Sequence, residues 1–127
     1  FVLANNPGAK NMAYLATTGK REDHTLGNIS LMAFYAEEFG ITPTLITDHG
    51  SFSVACGKQK FESFEGQQVS IFNLSCSQLS GTGFRWQPYA YKMLWQGTLN
   101  EAVGNEVEID GDGTYMVFRT YQRKINE

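Results

Sequence analysis

The sequence predicts an α+β domain, with one or two N-terminal helices packed across an antiparallel sheet of five to seven strands. Two observations carry this reading. Apolar residues recur at helical spacing only in the first 40 residues, and from Ile41 onward the pattern changes to period two, punctuated by Gly-containing turns. No internal repeat, low-complexity run or linker interrupts the chain, so residues 1–127 read as a single domain.

Asn6-Pro7-Gly8 is a helix-start signal, because Asn caps free N–H groups and Pro suits the first helical position. A short helix over Ala9–Thr17, closed by Gly19, follows from it; the competing reading is a strand over Ala13–Thr17. Lys20–His24 is a charged connection. Asp23 or Thr25 can cap the next helix, which runs to Phe39, stops at Gly40 and carries the stripe Leu26, Ile29, Met32, Ala33, Ala36 and Phe39. Thr44–Thr47 and Ser51–Cys56 form a hairpin about Asp48-His49-Gly50, where Gly50 supplies positive φ. Lys58–Phe64 and Gln67–Leu74 read as a second hairpin about Glu65-Gly66. Gly81-Thr82-Gly83 is a flexible turn, and Phe84–Trp95 a long extended segment interrupted at Pro88. Val107–Ile109 and Thr114–Tyr121 flank Asp110-Gly111-Asp112-Gly113, the strongest hairpin signal in the chain.

Composition excludes several classes. Ten Lys and Arg against thirteen Asp and Glu give a net charge of −3, which argues against a nucleic-acid partner needing a basic field. No apolar run is long enough to span a membrane. Nine Phe, six Tyr and two Trp oppose disorder.

The chain begins at Phe1 rather than Met, which suits a cleaved leader, a removed anchor or a fragment of a longer chain, and Cys56 and Cys76 are its only cysteines. Both lie in strand-like segments, so a Cys56–Cys76 disulfide is expected, with two buried thiols as the alternative. These features point to a secreted, periplasmic or cell-surface location. Asn28-Ile29-Ser30 and Asn73-Leu74-Ser75 match the glycosylation acceptor pattern, but one lies in the expected helix and the other in a strand.

No residue group makes a persuasive catalytic set, metal site or cofactor site. Asp48-His49-Gly50-Ser51 gathers three catalytic residue types, yet consecutive strand residues point to opposite faces and cannot converge as a triad does. Asp110-Gly111-Asp112-Gly113 resembles the start of a calcium loop, but Tyr121 stands where the bidentate Glu is required. Gly81-Thr82-Gly83 lacks the Lys and the following helix of a phosphate loop. The aromatic segment is the best binding candidate: Trp86, Tyr89, Tyr91 and Trp95 combine apolar bodies with polar tips. Burial in the core is the competing reading; unless Pro88 shifts the register, alternation would turn at least one Trp away from the helix, toward solvent or a partner. The expected function is therefore a secreted or extracytoplasmic, non-enzymatic domain that binds a protein partner or self-assembles. Two alternatives stand beside it: a small-ligand or carbohydrate site with an aromatic pocket, and a small enzyme using His24 or His49 as general base.

Overall fold

In the computed structural model, which describes residues 11–15 and 22–123, the apolar spacing of the N-terminal region becomes the 18-residue helix α1, Glu22–Phe39. It ends as the sequence predicts. Gly40 takes a left-handed φ of 63° and its N–H bonds Ala36 O at 3.1 Å, closing the last turn. Met32 and Ala36 are buried and Ile29 packs beside them, against Leu45, Val54 and Met116 of the sheet. Leu26 and Phe39 are exposed, so the packed stripe is narrower than the spacing implied.

The sheet has seven strands: β1 (Asn11–Leu15), β2 (Thr42–Ile46), β3 (Gly50–Glu62), β4 (Gln67–Asn73), β5 (Leu79–Thr82), β6 (Asn100–Glu101) and β7 (Glu106–Arg123). Six are antiparallel to their neighbours, in the order β2-β3-β7-β4-β6 with β5 also on β7; β1 adds parallel to β2. The helix expected over Ala9–Thr17 is thus a strand in its described part, residues 11–15. A parallel pair needs a long crossover, which α1 supplies, and pairing with β2 overrides a weak local helix signal. The remainder of that expected helix, with its start signal and Gly19, lies outside the described residues.

The β2–β3 hairpin is present, with Leu45 opposite Phe52. Its turn is organised by Thr47 Oγ1, which donates to Gly50 O and accepts from the N–H groups of His49 and Gly50. Gly50 serves close approach rather than positive φ: a Cβ there would lie 2.2 Å from Arg119 O.

Two further hairpins do not form. A turn exists at Glu65-Gly66, with Gln67 N–H bonded to Phe64 O, but β3 and β4 splay apart and admit β7 between them. Asp110-Gly111-Asp112-Gly113 is a bulge inside β7, not a turn. Cys56 pairs with Thr114 and Gly57 with Gly111, leaving Asp112 and Gly113 as extra residues. The Asp112 carboxylate accepts from Ser77 N–H at 2.8 Å, Gln78 N–H at 3.0 Å and the Ser77 hydroxyl. These bonds, that to Gln78 foremost, hold its pKa below the usual carboxylate range. Leu79–Thr82, expected in part as a loose turn, pairs with Glu108–Gly111 as β5.

The Cys56–Cys76 disulfide is likewise corrected, since both thiols are free. Thr114 of β7 stands between them, its Oγ1 3.3 Å from Cys56 Sγ and its carbonyl accepting from Cys76 Sγ at 3.7 Å. Cys56 lies on β3, and Cys76 in the irregular segment between β4 and β5, across β7 from it.

The two sheet faces carry separate cores. Leu45, Val54 and Met116 meet α1, with Phe52 and Phe72 alongside. Ala55, Ile71, Tyr115 and Val117 point the other way, into a larger cluster that includes Val107, Ile109 and Tyr91. The second face carries the candidate site.

Two outcomes are expected. Iodoacetamide on unreduced native protein should add two labels by intact mass, quickly at exposed Cys56 and slowly at Cys76, whose burial hides the thiol and raises its pKa. For Asp112, a depressed folded pKa means that stabilisation is complete above the ordinary range near pH ~4 and is lost as pH falls through the folded value. Asp112→Asn should therefore flatten the acid limb of stability, measured by urea denaturation between pH 3 and pH 6.

Candidate functional site

Residues 83–102 close the sheet face opposite α1, and the aromatic segment lies within them. The long strand expected over Phe84–Trp95 is absent. Phe84 makes one bridge with Ala102, and the chain then runs irregularly to a 3-10 turn at Leu94–Gly97. With no ladder partner, its backbone is tied by side-chain amides. Asn100 Oδ1 accepts from Trp86 N–H at 3.1 Å, and its Nδ2 donates to Trp86 O at 2.7 Å. Gln87 Nε2 donates to Gly81 O, and Asn73 Nδ2 to both Tyr91 O and Cys76 O. Gln96 Oε1 caps the 3-10 turn by accepting from the N–H groups of Lys92 and Met93. The engaged Asn73 amide also explains why that acceptor pattern is structural here.

Packing presses the turn onto the sheet. A Cβ on Gly97 would lie 2.0 Å from Ile71 O and 2.7 Å from the Tyr91 ring, so only glycine fits. Leu99 follows in the left-handed region, with φ 65°, its N–H held by Ser70 Oγ at 3.2 Å. Its side chain remains exposed.

These contacts frame an open hollow of about 280 Å³ lined by Trp86, Gln87, Tyr89, Tyr91, Gln96, Gly97, Thr98, Leu99 and Asn100. That volume lies near the lower end for ligand pockets. Tyr91 is buried and Tyr89 exposed, with their ring centroids 4.4 Å apart. Burial, then the neighbouring Tyr89, raises the Tyr91 phenol pKa and keeps that hydroxyl neutral. Arg85 lies 4.6 Å from the Trp86 ring centroid and pairs with Glu101 at 3.3 Å, so a cation braces the Trp86 ring.

Of the four aromatic residues singled out in the sequence, Trp86, Tyr89 and Tyr91 converge on this cavity. Trp95 does not line it and is 67% exposed. Alternation does not decide their directions, because the segment is not a strand. Asn100, Gln96 and Gly97 are the residues that sequence reasoning missed; their only signal is a polar, Gly-containing run between Trp95 and Glu101. A second hollow, of about 290 Å³, borders Gln78–Ser80 and Asp110–Asp112, but it has no aromatic wall. His49 sits exposed in the β2–β3 turn, away from both hollows. The His24 side chain lies outside the described residues.

The fold is α+β, with an aromatic and amide-lined hollow on the sheet face opposite α1. Residues 50–118 match the family described as "Thiamin pyrophosphokinase, substrate-binding domain", and the chain belongs to that family. Solved structures share the fold. Thiamine pyrophosphokinase from Bacillus subtilis superposes with a TM-score of 0.79 at 19% identity, over 98% of this chain and 61% of that one. A thiamin pyrophosphokinase family protein from Enterococcus faecalis gives 0.76 at 18% identity, over 96% and 60%. Thiamin pyrophosphokinase from Candida albicans gives 0.74 at 14%, over 88% and 44%. The chain thus spans about three-fifths of the length of the first of these. Comparison with curated proteins gives no match.

Family membership corrects the functional expectation. A secreted or extracytoplasmic, non-enzymatic binding or assembly domain is overturned by a match to the substrate-binding domain of an enzyme. The secreted, periplasmic or cell-surface location falls with it, as does the disulfide that supported it. One coarser statement holds: among the described residues no helix is long and apolar enough to cross a membrane.

Gly97→Ala should cost about 1–3 kcal/mol by overpacking against Ile71 O and Tyr91. Gly104→Ala, whose added Cβ meets nothing within 4 Å, should be near neutral. Urea denaturation of both variants checks the contrast.

Proposed function

We propose that this chain is the substrate-recognition part of a thiamin pyrophosphokinase, and that its aromatic cavity holds a ring of a thiamin-like substrate. The carrying observation is the grouping of Trp86, Tyr89 and Tyr91 with the uncharged amides Gln87, Gln96 and Asn100 in one hollow. Thiamin joins two flat heterocycles and ends in the hydroxyl that receives the pyrophosphoryl group. Flat rings stack on aromatic walls, while amide and phenol groups meet ring nitrogens by hydrogen bonding. On this reading Trp86 and Tyr89 are the stacking walls, and the neutral Tyr91 hydroxyl with the side chains of Gln87 and Gln96 orients the ring. The domain's part in the transfer is to fix the substrate so that its hydroxyl faces the phosphoryl donor. Trp95, exposed and outside the cavity lining, has no part in this reading.

Calorimetric titration with thiamin tests the reading. Trp86→Ala should weaken binding by about thirtyfold, corresponding to a hot-spot loss of about 2 kcal/mol, with little change in melting temperature. Trp95→Ala should weaken it less. Wild-type protein that does not bind thiamin, or an unaltered affinity in Trp86→Ala, would overturn the assignment.

A further inference from the structure

We infer that Asn100 is a positioning residue: its side-chain amide clamps the Trp86 peptide and thereby fixes the aromatic wall of the cavity. The part of the inference that concerns ligand affinity rests on the reading above. The clamp itself does not.

Asn100 is 4% exposed and every polar atom of its side chain is engaged. Its Oδ1 accepts from the N–H groups of Trp86 and Glu101, at 3.1 and 2.8 Å, and its Nδ2 donates to Trp86 O at 2.7 Å. One amide therefore meets both backbone groups of Trp86, as a neighbouring strand would. The chain needs that substitute. Arg85 N–H bonds Glu101 O at 2.9 Å, and after it the 3-10 turn provides the next backbone bond, from Gln96 N–H to Met93 O.

Leu99 supplies a second observation. A leucine at φ 65° is held in a region that side chains disfavour, and such strain persists only where neighbours over-determine it. Its N–H is pinned by Ser70, and the next residue is fixed by the amide clamp. The left-handed corner turns the chain between those two anchors and places Asn100 beneath Trp86. An aspartate of the same shape could not replace it, because a carboxylate has no proton for the Trp86 carbonyl and would repel it.

The test uses the 127-residue chain with Trp95→Phe, which leaves Trp86 as the only indole. Time-resolved anisotropy of Trp86 is recorded first without ligand, and thiamin is then titrated. Asn100→Asp should add a fast, local component to the decay and weaken thiamin by about tenfold, as the loss of one charge-free buried bond implies. Val54→Ala, in the core beneath α1, should lower the melting temperature and leave the decay unchanged. An Asn100→Asp protein whose Trp86 decay matches the parent would overturn the inference, whatever its melting temperature. If that variant fails to fold, hydrogen exchange on the parent decides: protected Asn100 side-chain protons support the clamp, and exchange at the solvent rate overturns it. If the parent does not bind thiamin, the cavity reading fails while the ligand-free decay still tests the clamp.

Discussion

A strand that pairs along both edges cannot stay straight when its neighbours change halfway. β7 runs for 18 residues with β3 on one edge, while β5 and then β4 take the other. The change of partner falls at Asp112-Gly113, the two residues without a counterpart on β3. Space there is minimal: a Cβ on Gly111 would lie 2.7 Å from Cys76 Sγ, and one on Gly113 2.6 Å from Ser75 O. Tyr115, fully buried, locks the bend from inside by donating to Gly57 O, with Ile109 O also in reach. Its burial raises the phenol pKa, so the hydroxyl stays a donor. Asp112 locks it from outside through Ser77 and Gln78. The path of β5 and the seat of Cys76 follow from this one irregularity.

The bend also separates the work of the two sheet faces. Under α1 the buried cluster combines Met32, Ala36, Leu45, Val54 and Met116, with Phe52 and Phe72 packed against it. On the other face Tyr91 joins Ile71 and Val117 in the larger core, so one wall of the cavity is itself a core residue. Tyr91 thereby ties the irregular segment that lines the pocket to the core of the sheet. Trp86 and Tyr89 stand farther out, braced by Arg85 and by Tyr91 respectively.

Local features were legible in the sequence and long-range pairings were not. The helix from its apolar spacing to Gly40, and the hairpin at Asp48-His49-Gly50, depend on residues close in the chain. β7 slipping between β3 and β4 depends on residues far apart, and the Glu65-Gly66 turn looks the same whether its strands pair or part. Asp110-Gly111-Asp112-Gly113 misled because a bulge and a tight turn both favour Gly and Asp. The aromatic cluster was visible as composition. Its geometry was hidden, because Asn100 and Gln96 replace a ladder that alternation takes for granted. The functional class is not legible for a different reason: the expectation of a non-enzymatic domain rests on the absence of a catalytic set, a basic patch and a metal motif, and the aromatic and amide lining of the hollow carries none of these signals.

Asn73, Gln87, Gln96 and Asn100 anchor the cavity loop through neutral amides. None of these groups titrates in the physiological range, and none attracts counterions. The Arg85–Glu101 pair is the loop's one charged brace, and an exposed pair of that kind contributes little. The shape of the pocket is thereby buffered against the ionic composition of its surroundings. Changes in salt or in mild acidity reach a bound molecule through its own charge, while the walls around it keep their places.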